Sequence, residues 1–288
     1  MDDCKGSISL DFSYTADGNT QVFNEYIKTV ELYVFDDGGR QVQTRRLEGG
    51  ELQDRRAVLD LTPGHYRIIA VGNLGEKDCV DGAGMLAQAV VTHRADTEDA
   101  DGNPTGDDPL YMADVEAEVA AAGDVSRTMD FHNCHIRMVV EVQGAARDEE
   151  QATEAVPAWT QLGIRWTALP SRTTLDGASV QGPLCDYEPV QGHYDEITRK
   201  LTSTINVMRF DQTQQTMQAD GTRIELVVTN LITGTPIETV DVMEFVADNH
   251  IDLNREEVAI GVLIVISKDG DITVEVPDWV IEEVKPGL

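Results

Sequence analysis

Residues 82–87, Gly82-Ala83-Gly84-Met85-Leu86-Ala87, carry the spacing G-x-G-x-x-A, with which a glycine-rich turn brings backbone amides up to a pyrophosphate. That chemistry needs a parallel strand before the turn and a helix after it, and the surrounding sequence supplies no βαβ unit, so the segment reads as a structural loop. Residues 97–108 echo a calcium loop, with Asp99 and Asp101 at the third and fifth positions, Gly102 at the sixth and Asp108 at the twelfth. Thr97 replaces the first acid, Asp108 replaces the bidentate glutamate, and no helices flank the loop, so it reads as an acidic surface loop. His132, Cys134 and His135 are metal-ligand types, but on a strand His132 and Cys134 share one face while His135 points to the other. The sequence contains no G-x-S-x-G elbow, H-E-x-x-H pair or P-loop lysine motif. No catalytic, cofactor-binding or metal-binding residues are therefore assigned, and a non-enzymatic protein that needs no cofactor is expected.

The four cysteines, Cys4, Cys79, Cys134 and Cys185, include no CxxC pair, which argues against zinc ribbons and thioredoxin-type motifs. They allow up to two disulfides or four free thiols. A Cys4–Cys134 staple is geometrically reasonable if the strands beside them are neighbours. With 52 acidic against 22 basic residues the net charge is −30, which repels phosphate backbones and excludes nucleic acid as a partner. The apolar run Val258 to Ile266 is about half the length of a membrane-spanning helix. Without charge or proline, it has to be central or covered to avoid edge-to-edge association. Residues 1–6, Met-Asp-Asp-Cys-Lys-Gly, show no basic or apolar export region, so a signal peptide is expected to have been removed. The doublets Arg45-Arg46 and Arg55-Arg56 read as solvated strand-end residues.

Period-two alternation dominates the elements that would position any site. Ile8, Leu10, Phe12 and Tyr14 fall on one face of a first strand. A short helical turn is expected around Val22 to Ile27, a second strand over Thr29 to Phe35, and a hairpin at Asp36-Asp37-Gly38-Gly39. Further strands are expected over residues 57–61, 66–71, 115–119 and 131–142. Gly144 to Pro157 lacks apolar periodicity and is the linker candidate, which divides the chain into domains at 1–147 and 148–288. Beyond it, strands are expected over residues 162–169, 201–210, 223–229, 239–242, 258–266 and 272–276, with a short helix over 243–249. Short strands at this spacing with little helix give an all-β class, two β-sandwiches in tandem.

Several stretches resemble the fimbrial anchor lipoproteins of Bacteroidales, associated with the fimbrillins of type V pili. They are Cys4-x-Gly6-x-Ile8-x-Leu10-x-Phe12-x-Tyr14, Val30-Glu31-Leu32-Tyr33-Val34-Phe35-Asp36, and Leu61-Thr62-Pro63-Gly64-His65-Tyr66 leading to Ala70-Val71-Gly72-Asn73-Leu74. Pro109-Leu110-Tyr111 and the run Ile272 to Val280 complete the set. The resemblance implies two transthyretin-like domains, an export signal, and a lipid upstream that places the protein on the outer membrane facing outward.

If the resemblance holds, assembly proceeds by one subunit giving a strand to a groove in another. No Lys or Arg lies between Lys5 and Lys28, so an Arg-specific protease cannot release the first strand. Ile8, Leu10, Phe12 and Tyr14 are then expected to stay in the groove and end the polymer. Ile272, Val274, Val276 and Trp279 are the expected donor residues, and stalk subunits the expected partners. Alternative readings are a tip subunit of the same pilus, or a glycan-binding or adhesion module with Trp159, Trp166 or Trp279 as its platform.

Overall fold

The computed structural model describes residues 5–100, 102–144, 162–175, 183–188, 192–195, 197–198, 200–210, 222–267 and 269–279. In chain order the strands are β1 (Gly6–Ser13), β2 (Thr29–Asp36), β3 (Gln41–Glu48), β4 (Arg56–Leu61), β5 (Gly64–Gly72), β6 (Asp78–Asp81), β7 (Val90–His93), β8 (Tyr111–Val119), β9 (Asp124–Asp130) and β10 (His132–Asn133). There follow β11 (His135–Gly144), β12 (Leu162–Pro170), β13 (Arg172–Thr174), β14 (Leu184–Tyr187), β15 (His193–Asp195) and β16 (Lys200–Met208). The last are β17 (Glu225–Asn230), β18 (Thr235–Asp241), β19 (Ala259–Ile266) and β20 (Ile272–Glu275). Among the described residues two short α-helices, Phe23–Tyr26 and Val242–Asp248, interrupt them, the second capped by the Asp241 carboxylate, which accepts from the Met243 and Glu244 amides.

The first sandwich packs the sheet β4-β1-β9 on the sheet β10-β8-β5-β2-β3. Strands β2 and β5 are buried on both faces, which explains why Val30 to Phe35 and Ile68 to Val71 read as nearly continuous apolar runs. Val30, Leu32 and Val34 face the first core, whereas Tyr33 and Phe35 face a second layer with Ile69, Val91, Leu110 and Met208. That layer is roofed by the sheet β13-β7-β6, in which β13 from the second half pairs antiparallel with β7 from the first. The second sandwich packs β15-β16-β11-β19-β20 on β14-β12-β17-β18. As its composition requires, the apolar strand β19 is central, parallel to β11 on one side and antiparallel to β20 on the other.

One expectation is corrected here. β11 pairs with β16 and β19, so it belongs to the second sandwich, and the changeover falls at Cys134 rather than near residue 148. Cys134 is the hinge point of the backbone pairing: its amide donates to the Leu110 carbonyl and its carbonyl accepts from the Arg209 amide. The expected linker lies largely outside the described residues.

Candidate functional site

The first strand is the central strand of its sheet. β1 runs antiparallel to β4 from the Gly6–Leu61 pair to Asp11–Arg56, and parallel to β9 from Ser7–Asp124 to Ser13–Asp130. Ile8, Leu10, Phe12 and Tyr14 are each at most 2% exposed and point into the core, as their alternation requires. Phe12 stacks on Phe23 with ring centroids 5.6 Å apart and meets Phe131 edge-on at 5.8 Å. On the solvent side, Asp11 forms an ion pair of 2.8 Å with Arg56 of β4, which holds its carboxyl below the usual range. At the strand's start, a Cβ on Gly6 would come within 2.3 Å of the Ala120 carbonyl oxygen, so only glycine fits.

The end of β1 is fastened to the second sandwich. The Tyr14 hydroxyl donates to Glu257 Oε1, to which Tyr111 also donates at 3.1 Å. Burial first, and then Glu257, raise the pKa of Tyr14, so the phenol keeps its proton. Asp17 accepts from the Glu256 amide at 2.8 Å, and Glu256 accepts from the Asn133 amide at 2.7 Å. Asn133 Nδ2 reaches the other oxygen of Glu257 at 3.3 Å.

The residues expected to donate a strand are folded onto their own domain. β20 returns along β19 from Ile266–Ile272 to Leu263–Glu275 because Gly270, at φ 86°, turns the chain back. Ile272, Val274 and Val276 pack against the second core, and Trp279 donates from Nε1 to Glu141 Oε1 at 3.0 Å while Arg137 lies over its ring. They are paired within their own chain, which a tight turn beside an apolar strand favours. β20 remains the edge strand of its sheet.

The remaining sequence candidates are separated. Residues 82–87 form the turn between β6 and β7, without a βαβ unit. Asp108 turns inward and accepts from the amides of Gly75, Glu76, Lys77 and Asp78, away from Asp99, which accepts from the Asn103 amide. His132 pairs with Glu256 at 3.2 Å, whereas His135 is buried against the Leu110 carbonyl at 3.1 Å. Cys134 is a free thiol among the described residues, and the expected staple to Cys4 falls outside them, because Cys4 does. Trp166 is 1% exposed in the second core, which removes it from any binding platform, and Trp159 lies outside the described residues. Arg45 donates to the Val58 carbonyl and to Glu51, and Arg46 to Glu48 and the Leu74 carbonyl.

Sequence reading missed one group. Asp78, His93 and Asp107 converge in a buried cluster at the seam between the halves, contacted by Tyr187. Asp78 and His93 are directly opposite in the β6–β7 ladder, a pairing that a hairpin reading of residues 78–93 could have found. Asp107, in contrast, comes from an irregular segment, and among 52 acids it carried no mark.

Several solved structures share this overall fold. A candidate adhesin from Bacteroides ovatus superposes with a TM-score of 0.72 at 16% identity, covering 94% of each chain. The fimbrial anchor protein Mfa2 from Porphyromonas gingivalis gives 0.66 at 16%, covering 94% of this chain and 95% of that one. A candidate adhesin from Bacteroides thetaiotaomicron gives 0.66 at 18%, covering 96% and 97%. No curated protein matches the chain. The fold thus defines a class of two-domain all-β proteins that includes a fimbrial anchor. Within it, the family of fimbrillin-A associated anchor proteins Mfa1 and Mfa2 matches residues 1–285, and the chain belongs to that family.

Proposed function

We propose that this protein is the anchor subunit of an adhesive fimbria, held at the outer membrane by a lipid attached upstream of β1, and that it ends the polymer by keeping β1 in its groove. The observation that carries this is the position of β1, paired on both sides and tied by Tyr14 to Glu257. A groove already filled accepts no strand from a neighbour, because strand addition needs unpaired backbone groups on the flanking strands. The absence of basic residues between Lys5 and Lys28 supports retention, since an Arg-specific protease has no cleavage point there. Intact-mass measurement of protein recovered from cells tests the reading. A chain retaining Gly6 to Tyr14 is expected, and a native N-terminus beyond Tyr14 would overturn it.

The joining element is the segment Ile272 to Trp279, which must leave β19 before it complements the groove of a stalk subunit. Leu263 and Glu275 are paired residues in that hairpin, so a disulfide between cysteines introduced at both positions locks it. The locked protein is expected not to enter fimbriae until reduced. Incorporation of the oxidised form at the native level would exclude this segment as donor.

A further inference from the structure

We propose that Asp78, His93 and Asp107 form a binding site for a divalent transition-metal ion, with zinc as the ion to test. His93 Nδ1 lies 2.8 Å from Asp107 Oδ1 and 3.4 Å from Asp78 Oδ1. Both carboxylates have side-chain exposures of 0% and the imidazole 7%. Yet none of these three atoms makes a hydrogen bond of acceptable angle among the described residues. Three lone-pair-bearing atoms held within 4.8 Å of one another, buried and unpartnered, need a cation between them.

The outer face of each ligand is already fixed. Asp78 Oδ2 accepts from the Asp108 amide at 2.7 Å, and Asp107 Oδ2 accepts from the Tyr187 hydroxyl at 2.9 Å. The Asp107 amide itself is pinned to the Asn206 carbonyl at 2.7 Å. Tyr187 has one proton and two neighbouring acceptors, Asp107 Oδ2 and the Pro170 carbonyl, so toward His93 Nε2 at 3.1 Å its oxygen accepts. Nε2 therefore carries the hydrogen, and the neutral ring presents an Nδ1 lone pair to the two carboxylates. Second partners that set the tautomer of a histidine and orient the carboxylates are the usual supports of a metal site.

Geometry separates a metal ion from a proton here. A proton on Nδ1 lies on the ring's in-plane axis, and neither Oδ1 sits on a straight bond from it. Oxygens beside that axis are instead placed as neighbouring ligands of one ion. Zinc ligands at about 2.1 Å in tetrahedral array stand roughly 3.4 Å apart, so the 3.4 Å separation fits and the 2.8 Å one must open by a few tenths of an ångström. One imidazole with two carboxylates is a donor set for zinc, manganese or iron rather than for a thiolate-seeking ion. Cys185 Sγ is 3.8 Å from Nε2, on the far side of the ring, and is not a ligand.

The test uses tag-free full-length protein, loaded with zinc and dialysed, with metal content measured by mass spectrometry and the thermal midpoint compared with and without EDTA. About one zinc per chain beyond that held by Asp107→Asn is expected, together with a midpoint several degrees higher than in EDTA. Asp78→Asn and His93→Gln provide further comparisons if Asp107→Asn does not fold, and cobalt(II) loading of the wild type should give a visible ligand-field band that zinc displaces. Zinc adsorbed on the acidic surface is common to wild type and variants. Equal zinc in both, or a wild-type midpoint indifferent to zinc and EDTA, would overturn the proposal.

Discussion

Tyr14, the last inward residue of the first strand, donates its hydroxyl to Glu257, just before β19 of the second sandwich, so the exit of that strand is bonded to the other half of the molecule. Tyr14→Phe removes that donor while leaving Tyr111 on the same carboxylate oxygen. A loss of about 1–3 kcal/mol is expected, because a half-buried carboxylate forfeits one of its partners. Urea unfolding of the single variants and of Tyr14→Phe with Glu257→Gln checks it. The double variant should lose less than the sum of the two singles.

Leu10 is fully buried in the middle of β1, and Val58 on the neighbouring β4 is 47% exposed. Leu10→Ala is expected to cost roughly 2–5 kcal/mol, transfer energy plus the cavity left behind. Val58→Thr should stay within about 0.5 kcal/mol. Chemical denaturation of the two proteins side by side measures the contrast, and equal effects would mean that β1 is not packed as described.

Gly6→Ala drives a methyl group against Val119, which ends β8, and the Ala120 carbonyl of the β8–β9 connection, which must give way. A cost of about 1–3 kcal/mol is expected from overpacking, concentrated at the N-terminal end of β1. Hydrogen exchange of the Ser7 and Ile8 amides should quicken more than that of Phe12. Uniform quickening along the strand would contradict a local clash.

His135 is buried, and burial first, with Arg209 and Arg137 nearby, lowers its pKa to about 4. The folded protein keeps the ring neutral where the unfolded chain takes up a proton, below its ordinary value of about 6.5. Stability from this group is complete above that value and declines as pH falls toward 4, by up to about 1.4 kcal/mol per unit. Unfolding measured at pH 7.5 and pH 4.5 should show a smaller acid loss in His135→Gln than in wild type.

Much of the fold was legible because alternation is local. Ile8, Leu10, Phe12 and Tyr14 declare one buried face by their spacing alone, and the chargeless run around β19 declares a covered strand. The allegiance of β11 was not legible: residues 135–144 are buried on both faces, and a strand of that kind names neither of the sheets it could join. The pairing of the segment expected to donate was not legible for a related reason. Its alternation is right for a strand, but whether it pairs within the chain or with a neighbour is decided by Gly270 and the free edge of β19, not by its own residues. The Asp78–His93–Asp107 cluster depended on a cross-strand register and on one residue from an irregular loop, and nothing in the spacing along the chain joins them.

The two-sided ladder of β1 also has a mechanical meaning. Tension directed along the strand loads its bonds to β4 and β9 in shear, so they resist together, whereas a strand peeled from a sheet edge yields one bond at a time. Forced unfolding is governed by the unfolding rate rather than by equilibrium stability, and a ladder that fails only as a unit keeps that rate low. β20, on the rim of the second sandwich, is the opposite case, a strand bonded on one side only. The molecule thus carries a strand held from both sides in its first sandwich and a strand held from one side in its second.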